Sequence, residues 1–138
     1  MKISEIKNSK LLLDHFGYWT NFHDSEIIEM SFHRNYPDEP IIKVKIYAFE
    51  MSDKVVGKYY KLIKHCIIDF EFSGVQENSF EGFNFQNAMD GLVIGKAEGL
   101  FKVEFGDVHG VDGYLNWKNI EIENLKFGEV LSANFVLD

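Results

Sequence analysis

The residues best suited to chemistry are a histidine and an aspartate that stand side by side, His23 and Asp24, directly after the aromatic stretch Tyr18-Trp19-Thr20-Asn21-Phe22. A histidine beside a carboxylate can act as a general base or as a metal ligand of fixed tautomer. Neighbouring residues of a strand point to opposite faces, so these two side chains meet only if the chain turns there. The structural alternative is that Asp24 or Ser25 caps a turn while His23 hydrogen-bonds the backbone.

Metal-binding motifs are not visible in the sequence. The histidines are His15, His23, His33, His65 and His109. None of these positions shows the i, i+4 spacing of a zinc-binding helix, and the single cysteine, Cys66, cannot supply a thiolate framework. The run from Asp107 to Gly113 places Val111 where an EF-hand calcium loop needs an oxygen ligand. We predict a glycine-rich turn there, and neither metal nor cofactor; a three-histidine site assembled by the fold is the alternative left open.

Nucleophile motifs are equally lacking. Cys66 lies in an apolar run, which predicts a small buried side chain rather than a reactive thiolate. Ser73-Gly74 does not form the GxSxG turn that exposes a catalytic serine. Chemistry, if present, therefore depends on His23 and Asp24.

The N-terminal segment must position that pair. Spaced apolar residues between Ile3 and Asp14 predict two short helical stretches or one irregular helix, which Gly17 ends. We expect Trp19 and Phe22 to lock this segment onto a sheet, and Asp24 to turn the chain into its first strand.

Alternating apolar and polar residues predict about six antiparallel strands after Asp24. They are expected over residues 26–34, 42–48, 59–73, 92–96, 100–108 and 114–127. The third strand should bend near Lys64, residues 51–58 form a polar interruption, and residues 75–91 form an irregular link or a turn of helix. Residues 128–138 form another strand or a packed tail. The predicted fold is a single α+β domain over residues 1–138, mostly β, with the N-terminal helical segment packed on an antiparallel sheet or half-barrel.

Composition limits the class of protein and of partner. The chain has 138 residues, 46% hydrophobic and 15% aromatic, which is enough for one domain with its own core. Its net charge of -8 and its single arginine, Arg34, speak against nucleic-acid binding and favour a basic partner. A secretory signal and a membrane-spanning apolar run are both lacking, so we expect a cytoplasmic protein with no membrane partner.

Several stretches taken together resemble the Immunity protein 50 family, over about Tyr18 to Phe127. They are Trp19 with Phe22-His23-Asp24-Ser25-Glu26-Ile27-Ile28, the strand end Phe72-Ser73-Gly74-Val75, the segment Gly82-Phe83-Asn84-Phe85-Gln86-Asn87, and the glycine-rich loop before Tyr114. The resemblance implies a bacterial cytoplasmic protein that binds and neutralises the toxin domain of a polymorphic toxin system by occluding it. Such a protein acts without turnover, so the resemblance implies no enzyme and no catalytic residue.

Three classes of function stay open at this point. For a toxin-binding protein, we predict partner contacts at Tyr47, Tyr59, Asp69 and Glu71, exposed on the outward face of the sheet. The second class is a small hydrolase or a ligand- or metal-binding domain that uses His23 and Asp24, with His109 and Asp112 in support. The third class is a structural or dimerisation domain built on an exposed strand edge.

Overall fold

The computed structural model of the chain describes residues 2–105 and 110–127. It contains a short 3₁₀ helix, Ile3–Glu5, one α-helix, α1 (Lys10–Phe16), and the strands β1 (Glu26–His33), β2 (Ile41–Val56), β3 (Tyr59–Ser73), β4 (Glu77–Glu81), β5 (Leu92–Ala97), β6 (Leu100–Phe105), β7 (Asp112–Trp117) and β8 (Asn119–Phe127). The predictions made for Asp107, for His109 and for residues 128–138 lie outside the described residues.

The N-terminal segment forms two short helices, the first of the two alternatives predicted for it. The second helix ends at Gly17, which adopts φ +86° and donates its N–H to the Leu13 carbonyl at 2.7 Å. Between the two helices, Lys7 forms a parallel bridge to β8: its N–H donates to the Ile120 carbonyl at 3.0 Å, and its carbonyl accepts from Ile122 at 2.9 Å. The segment therefore covers part of the β8 edge as well as one end of the core.

The strands form two four-stranded antiparallel sheets, which confirms the α+β, mostly β class. Sheet 1 has the order β1-β2-β3-β8, and sheet 2 has the order β4-β7-β6-β5. The core lies between them, where the Phe72 ring of sheet 1 meets the Trp117 ring of sheet 2 at 4.6 Å between centroids. Among the described residues, no helix is long and apolar enough to cross a bilayer.

A sharp corner joins the two sheets. The β3–β8 pair of sheet 1 continues as the β4–β7 pair of sheet 2, because Lys118 donates its N–H to the Ser73 carbonyl at 3.1 Å and Gln76 donates to the Asn116 carbonyl at 3.1 Å. Gly74 makes the bend with φ +68°. Residues 114–127, predicted as one strand, therefore belong to two strands in different sheets, and β4 lies in a stretch for which no strand was predicted.

The prediction of a polar interruption at residues 51–58 is wrong. β2 continues to Val56 and pairs with β3 through Val55–Tyr60 and Val56–Tyr59. Residues 51–62 form a two-stranded hairpin, here called the β2–β3 arm, whose residues are almost all exposed. The predicted bend of β3 is confirmed, since Lys64 has φ +56° and lies in a bulge opposite Phe49.

The aromatic stretch divides between the core and the surface. Phe22 is fully buried, and its ring lies 5.9 Å from that of Phe70. Trp19 meets Phe22 edge-on at 6.1 Å and is only partly buried. Phe22 is therefore the side chain of this stretch that enters the core most deeply, and Trp19 forms the boundary with solvent.

Candidate functional site

The backbone turns at His23 and brings its side chain to that of Asp24. Phe22 and Asp24 have φ +60° and +62°, values that non-glycine residues adopt rarely. Side chains of the preceding residues support the turn: Thr20 Oγ1 accepts from the Phe22 N–H at 3.1 Å, and Asn21 Oδ1 accepts from the His23 N–H at 3.0 Å. As a result, His23 Nε2 lies 3.5 Å from Asp24 Oδ2.

The ring of His23 is bonded mainly to backbone. Its Nδ1 lies 2.7 Å from the Asp90 carbonyl oxygen, to which it donates, and 3.6 Å from the Asp90 carboxylate. The bond to this carbonyl, and then the Asp24 and Asp90 charges, raise the pKa of His23. Because a backbone carbonyl occupies Nδ1, the ring is fixed at the turn, which is the environment of a structural histidine. The described residues contain no group of three or more His, Cys, Asp or Glu placed to hold a metal ion.

An open groove of about 410 Å³ lies between the aromatic stretch and the root of the β2–β3 arm. Its walls include Trp19, His23, Phe49 and Met51. At its rim the Tyr18 hydroxyl donates to Glu50 at 2.6 Å, and this bond to a carboxylate raises the pKa of Tyr18 to about 12. The groove is wide enough for an apolar side chain of a partner.

The residues predicted to contact a partner differ in how exposed they are in the structure. Tyr47, expected to be exposed, is buried, with 4% of its surface accessible. It does lie on the outer face of sheet 1, but the rings of Phe49 and His65 cover it at 5.6 and 5.8 Å, and its hydroxyl bonds His65 Nδ1. Tyr59, on the arm, is 78% exposed. The structure therefore does not bring Tyr47 and Tyr59 together on one accessible surface.

Asp69 and Glu71 lie half-buried on the outer face of sheet 1, where both lysine and carboxylate side chains surround them. Lys45 Nζ is 3.8 Å from Asp69, and Lys43 Nζ is 3.2 Å from Glu123. A hydrogen bond with Glu123, then burial and the Glu123 charge, raise the pKa of Glu71 to about 7, while that of Glu123 is lowered. This carboxyl pair therefore retains a proton up to neutral pH.

Sequence reasoning did not single out two exposed rings beside sheet 2 as contact residues. Phe83 and Phe85 are 52% and 96% exposed in the loop of residues 82–87, here called the phenylalanine loop. Asn87, which is buried, holds this loop: its Oδ1 accepts from the N–H groups of Asn84 at 2.9 Å and Val111 at 3.1 Å. The signal was present as two phenylalanines alternating with amide side chains, a residue type that stabilises turns.

The family model for Immunity protein 50 matches residues 8–128. The chain belongs to this family. The match confirms the resemblance drawn from Trp19 and Phe22-His23-Asp24, and it extends over both sheets, the β2–β3 arm and the phenylalanine loop. No curated protein and no solved structure matches the chain.

In this member of the Immunity protein 50 family, exposed large apolar side chains concentrate in two regions of the described chain. One is the β2–β3 arm, with Met51, Val55, Val56, Tyr59, Tyr60 and Leu62; the other is the phenylalanine loop. Exposed apolar side chains gathered in one region are typical of surfaces that meet another protein. These regions, rather than the surroundings of His23, are the candidate functional sites.

Proposed function

We propose that this chain is an immunity-type protein that binds the toxin domain of a cognate bacterial polymorphic toxin and neutralises it by occlusion, without turnover. Membership of the Immunity protein 50 family, over residues 8–128, is the observation that carries the proposal. The exposed apolar side chains on a well-packed body support it, because binding by occlusion needs accessible anchors and no reactive centre.

The proposed partner is a basic protein, which the chain would bind in the bacterial cytoplasm. The chain carries 22 acidic residues against 14 basic ones. A negative field of this kind speeds the approach of a positively charged partner and repels nucleic acids and anionic lipid surfaces. A protein partner is therefore proposed, with neither nucleic acid nor membrane.

Three of the contact residues expected from the sequence remain proposed contacts. Tyr59 offers an exposed ring on the arm, and Asp69 and Glu71 offer carboxyl groups on the outer face of sheet 1. Tyr47 is no longer among them, because a side chain covered by Phe49 and His65 does not reach a partner without a rearrangement.

Co-expression with the toxin domain encoded by the neighbouring gene tests this proposal. We expect the chain to restore growth of cells that express the toxin domain, and the two proteins to copurify as a stable complex. A Phe72→Asp variant is the control: a charge placed in the core should unfold the chain and abolish rescue. Failure of the wild-type chain both to rescue growth and to bind the toxin domain would contradict the proposal.

A further inference from the structure

We infer that the phenylalanine loop is the anchor of the toxin contact: Phe85, with Phe83 beside it, enters an apolar pocket of the toxin domain, and the acidic outer face of sheet 2 meets basic side chains around that pocket. This inference rests on the proposed function. It names the surface and the chemistry of the partner, neither of which follows from family membership.

The exposure of Phe85 is the first observation. Its ring is 96% exposed, so it contributes almost nothing to the packing of this chain. Burial of a phenylalanine ring is among the largest favourable contributions that one side chain makes to folding or binding. Phe85 therefore has that contribution still available for a partner, and Phe83, about half exposed, has part of it.

The hydrogen bonding of the loop is the second observation. Within it, Asn84 Oδ1 accepts from the Gln86 N–H at 2.9 Å, and Asn87 Nδ2 donates to the Asn84 carbonyl at 2.7 Å. Asn87 also ties the loop to β1, since the Ile27 N–H donates to its carbonyl at 2.9 Å. A ring presented on a braced loop loses little conformational entropy on binding, so more of its burial appears as affinity.

Two glycines allow close backbone packing at the base of the loop. A side chain at Gly110 would lie 2.4 Å from Asn87 Oδ1 and from the Gln86 carbonyl, and one at Gly82 would lie 2.7 Å from the Gly110 carbonyl. The backbone at the base of the loop is therefore closely packed. The two phenylalanine rings of the loop, in contrast, are largely exposed to solvent.

The charge beside the loop indicates the partner. Glu81 directly precedes the loop and lies opposite Asp112 across the β4–β7 pair. With Glu104 they line an open depression of about 450 Å³ on the outer face of sheet 2. Lys102, 3.5 Å from Glu104, is the counter-charge that the structure describes there. An apolar pocket edged by lysine or arginine side chains is therefore the complementary surface.

The β2–β3 arm is a weaker choice for the same partner. It also exposes apolar side chains, but it carries Lys54, Lys58 and Lys61 against Asp53. A basic toxin would be attracted more strongly to the outer face of sheet 2 than to the arm, so Tyr59 would make a secondary contact rather than the anchor. The combination of exposed rings, a braced loop and adjacent carboxylates favours the phenylalanine loop.

Binding of Phe85→Ala to the toxin domain encoded by the neighbouring gene tests the inference. We expect this variant to bind at least ~10-fold more weakly than wild type, mainly through faster dissociation. Its melting temperature should match that of wild type, because the ring is exposed. Tyr36→Ala is the matched control, an aromatic ring that is 76% exposed in the loop between β1 and β2, and it should bind like wild type.

The outcomes separate this inference from the proposed function. Binding of Phe85→Ala within about twofold of wild type would overturn the anchor while leaving the immunity function intact, and so would an equal loss in Tyr36→Ala. A wild-type chain that does not bind the toxin domain would overturn both.

Discussion

His23 is held at a turn of the backbone by the Asp90 carbonyl oxygen, which lies 2.7 Å from its Nδ1. The His23-Asp24 pair indicated either chemistry or a turn, and the positive φ values of Phe22 and Asp24, with the bond from His23 to the Asp90 carbonyl, favour the turn. Asp90 lies 67 residues from His23 along the chain, so its part was not readable from local spacing. The predicted exposure of Tyr47 is wrong for a similar reason. Alternation predicts the face on which a residue lies, but it does not show that the rings of Phe49 and His65 cover that residue.

Glu71 provides a prediction at the residue scale. The pKa of Glu71 is about 7 in the folded chain, above its ordinary value of 4.5. Between these two pH values the folded chain retains a proton that the unfolded chain has lost, so stability is greatest at the acid end and falls as pH rises. Glu71→Gln removes this titration while its amide can still donate to Glu123. We expect the fall in stability between about pH 5 and 7 to be smaller in the variant than in wild type.

Urea denaturation measured across this pH range checks the prediction. Glu123 does not confuse the result, because its pKa is lowered and its contribution is lost only as pH falls below the ordinary carboxyl range. Equal pH slopes for wild type and Glu71→Gln would show that the carboxyl pair does not share a proton.

At the scale of elements, the sequence predicted strands where one face is buried. It failed where that condition does not hold. The β2–β3 arm is exposed on both faces, so residues 51–58 show no alternation. The corner at Lys118 was missed for another reason: one strand was predicted across a break in the alternation. The buried residues are Leu115 and Trp117 in β7 but Ile120 and Ile122 in β8, so the inward-facing positions change from odd to even at the corner. β4 was missed because its sequence, Glu77-Asn78-Ser79-Phe80-Glu81, offers one large apolar residue.

Gly74 provides a prediction at this scale. It bends the chain between the sheets at φ +68°, where a Cβ would lie 2.8 Å from Lys118 Cβ and 2.6 Å from Glu39 Oε2. Gly74→Ala should therefore suffer both the backbone strain of a left-handed residue, about 1–2 kcal/mol, and an additional cost of displacing these neighbours. Chemical denaturation monitored by tryptophan fluorescence measures the loss in free energy of unfolding.

Gly57→Ala is the matched control for the corner. Gly57 has φ +65° at the tip of the β2–β3 arm, and a Cβ there meets no described atom within 4 Å. It should incur the backbone strain alone. If Gly57→Ala and Gly74→Ala lose the same free energy of unfolding, close packing at the corner contributes nothing.

For the whole molecule, the arrangement of charge matters more than its total. The sequence alone provides the net charge of -8 and the prediction of a basic partner. The fold then separates the charges: carboxylates dominate the outer face of sheet 2, both signs alternate on the outer face of sheet 1, and lysines concentrate on the arm. The strand order of sheet 2 places Glu81, Glu104 and Asp112 close together. Local spacing in the sequence does not reveal this cluster, because β5 and β6 separate β4 from β7 along the chain.

This separation of charge predicts how the toxin domain should associate. Reversing the pair beside the phenylalanine loop, with Glu81→Lys and Asp112→Lys, changes the net charge from -8 to -4, since each reversal adds two charges. We expect association at low salt to slow by about 10-fold and to depend less on salt, because the steering field at the contact is lost. Stopped-flow association at two ionic strengths measures both effects.

A second double variant separates the local field from the total charge. Asp14→Lys with Asp38→Lys also gives -4, but these exposed residues lie in α1 and in the loop between β1 and β2. Association should then slow far less than for the Glu81 and Asp112 pair. Phe85→Ala should behave differently from both, with nearly normal association and faster dissociation, because an anchor acts after the encounter. If the two double variants slow association equally, total charge alone steers the partner, and the outer face of sheet 2 loses its assignment as the face that the toxin domain approaches.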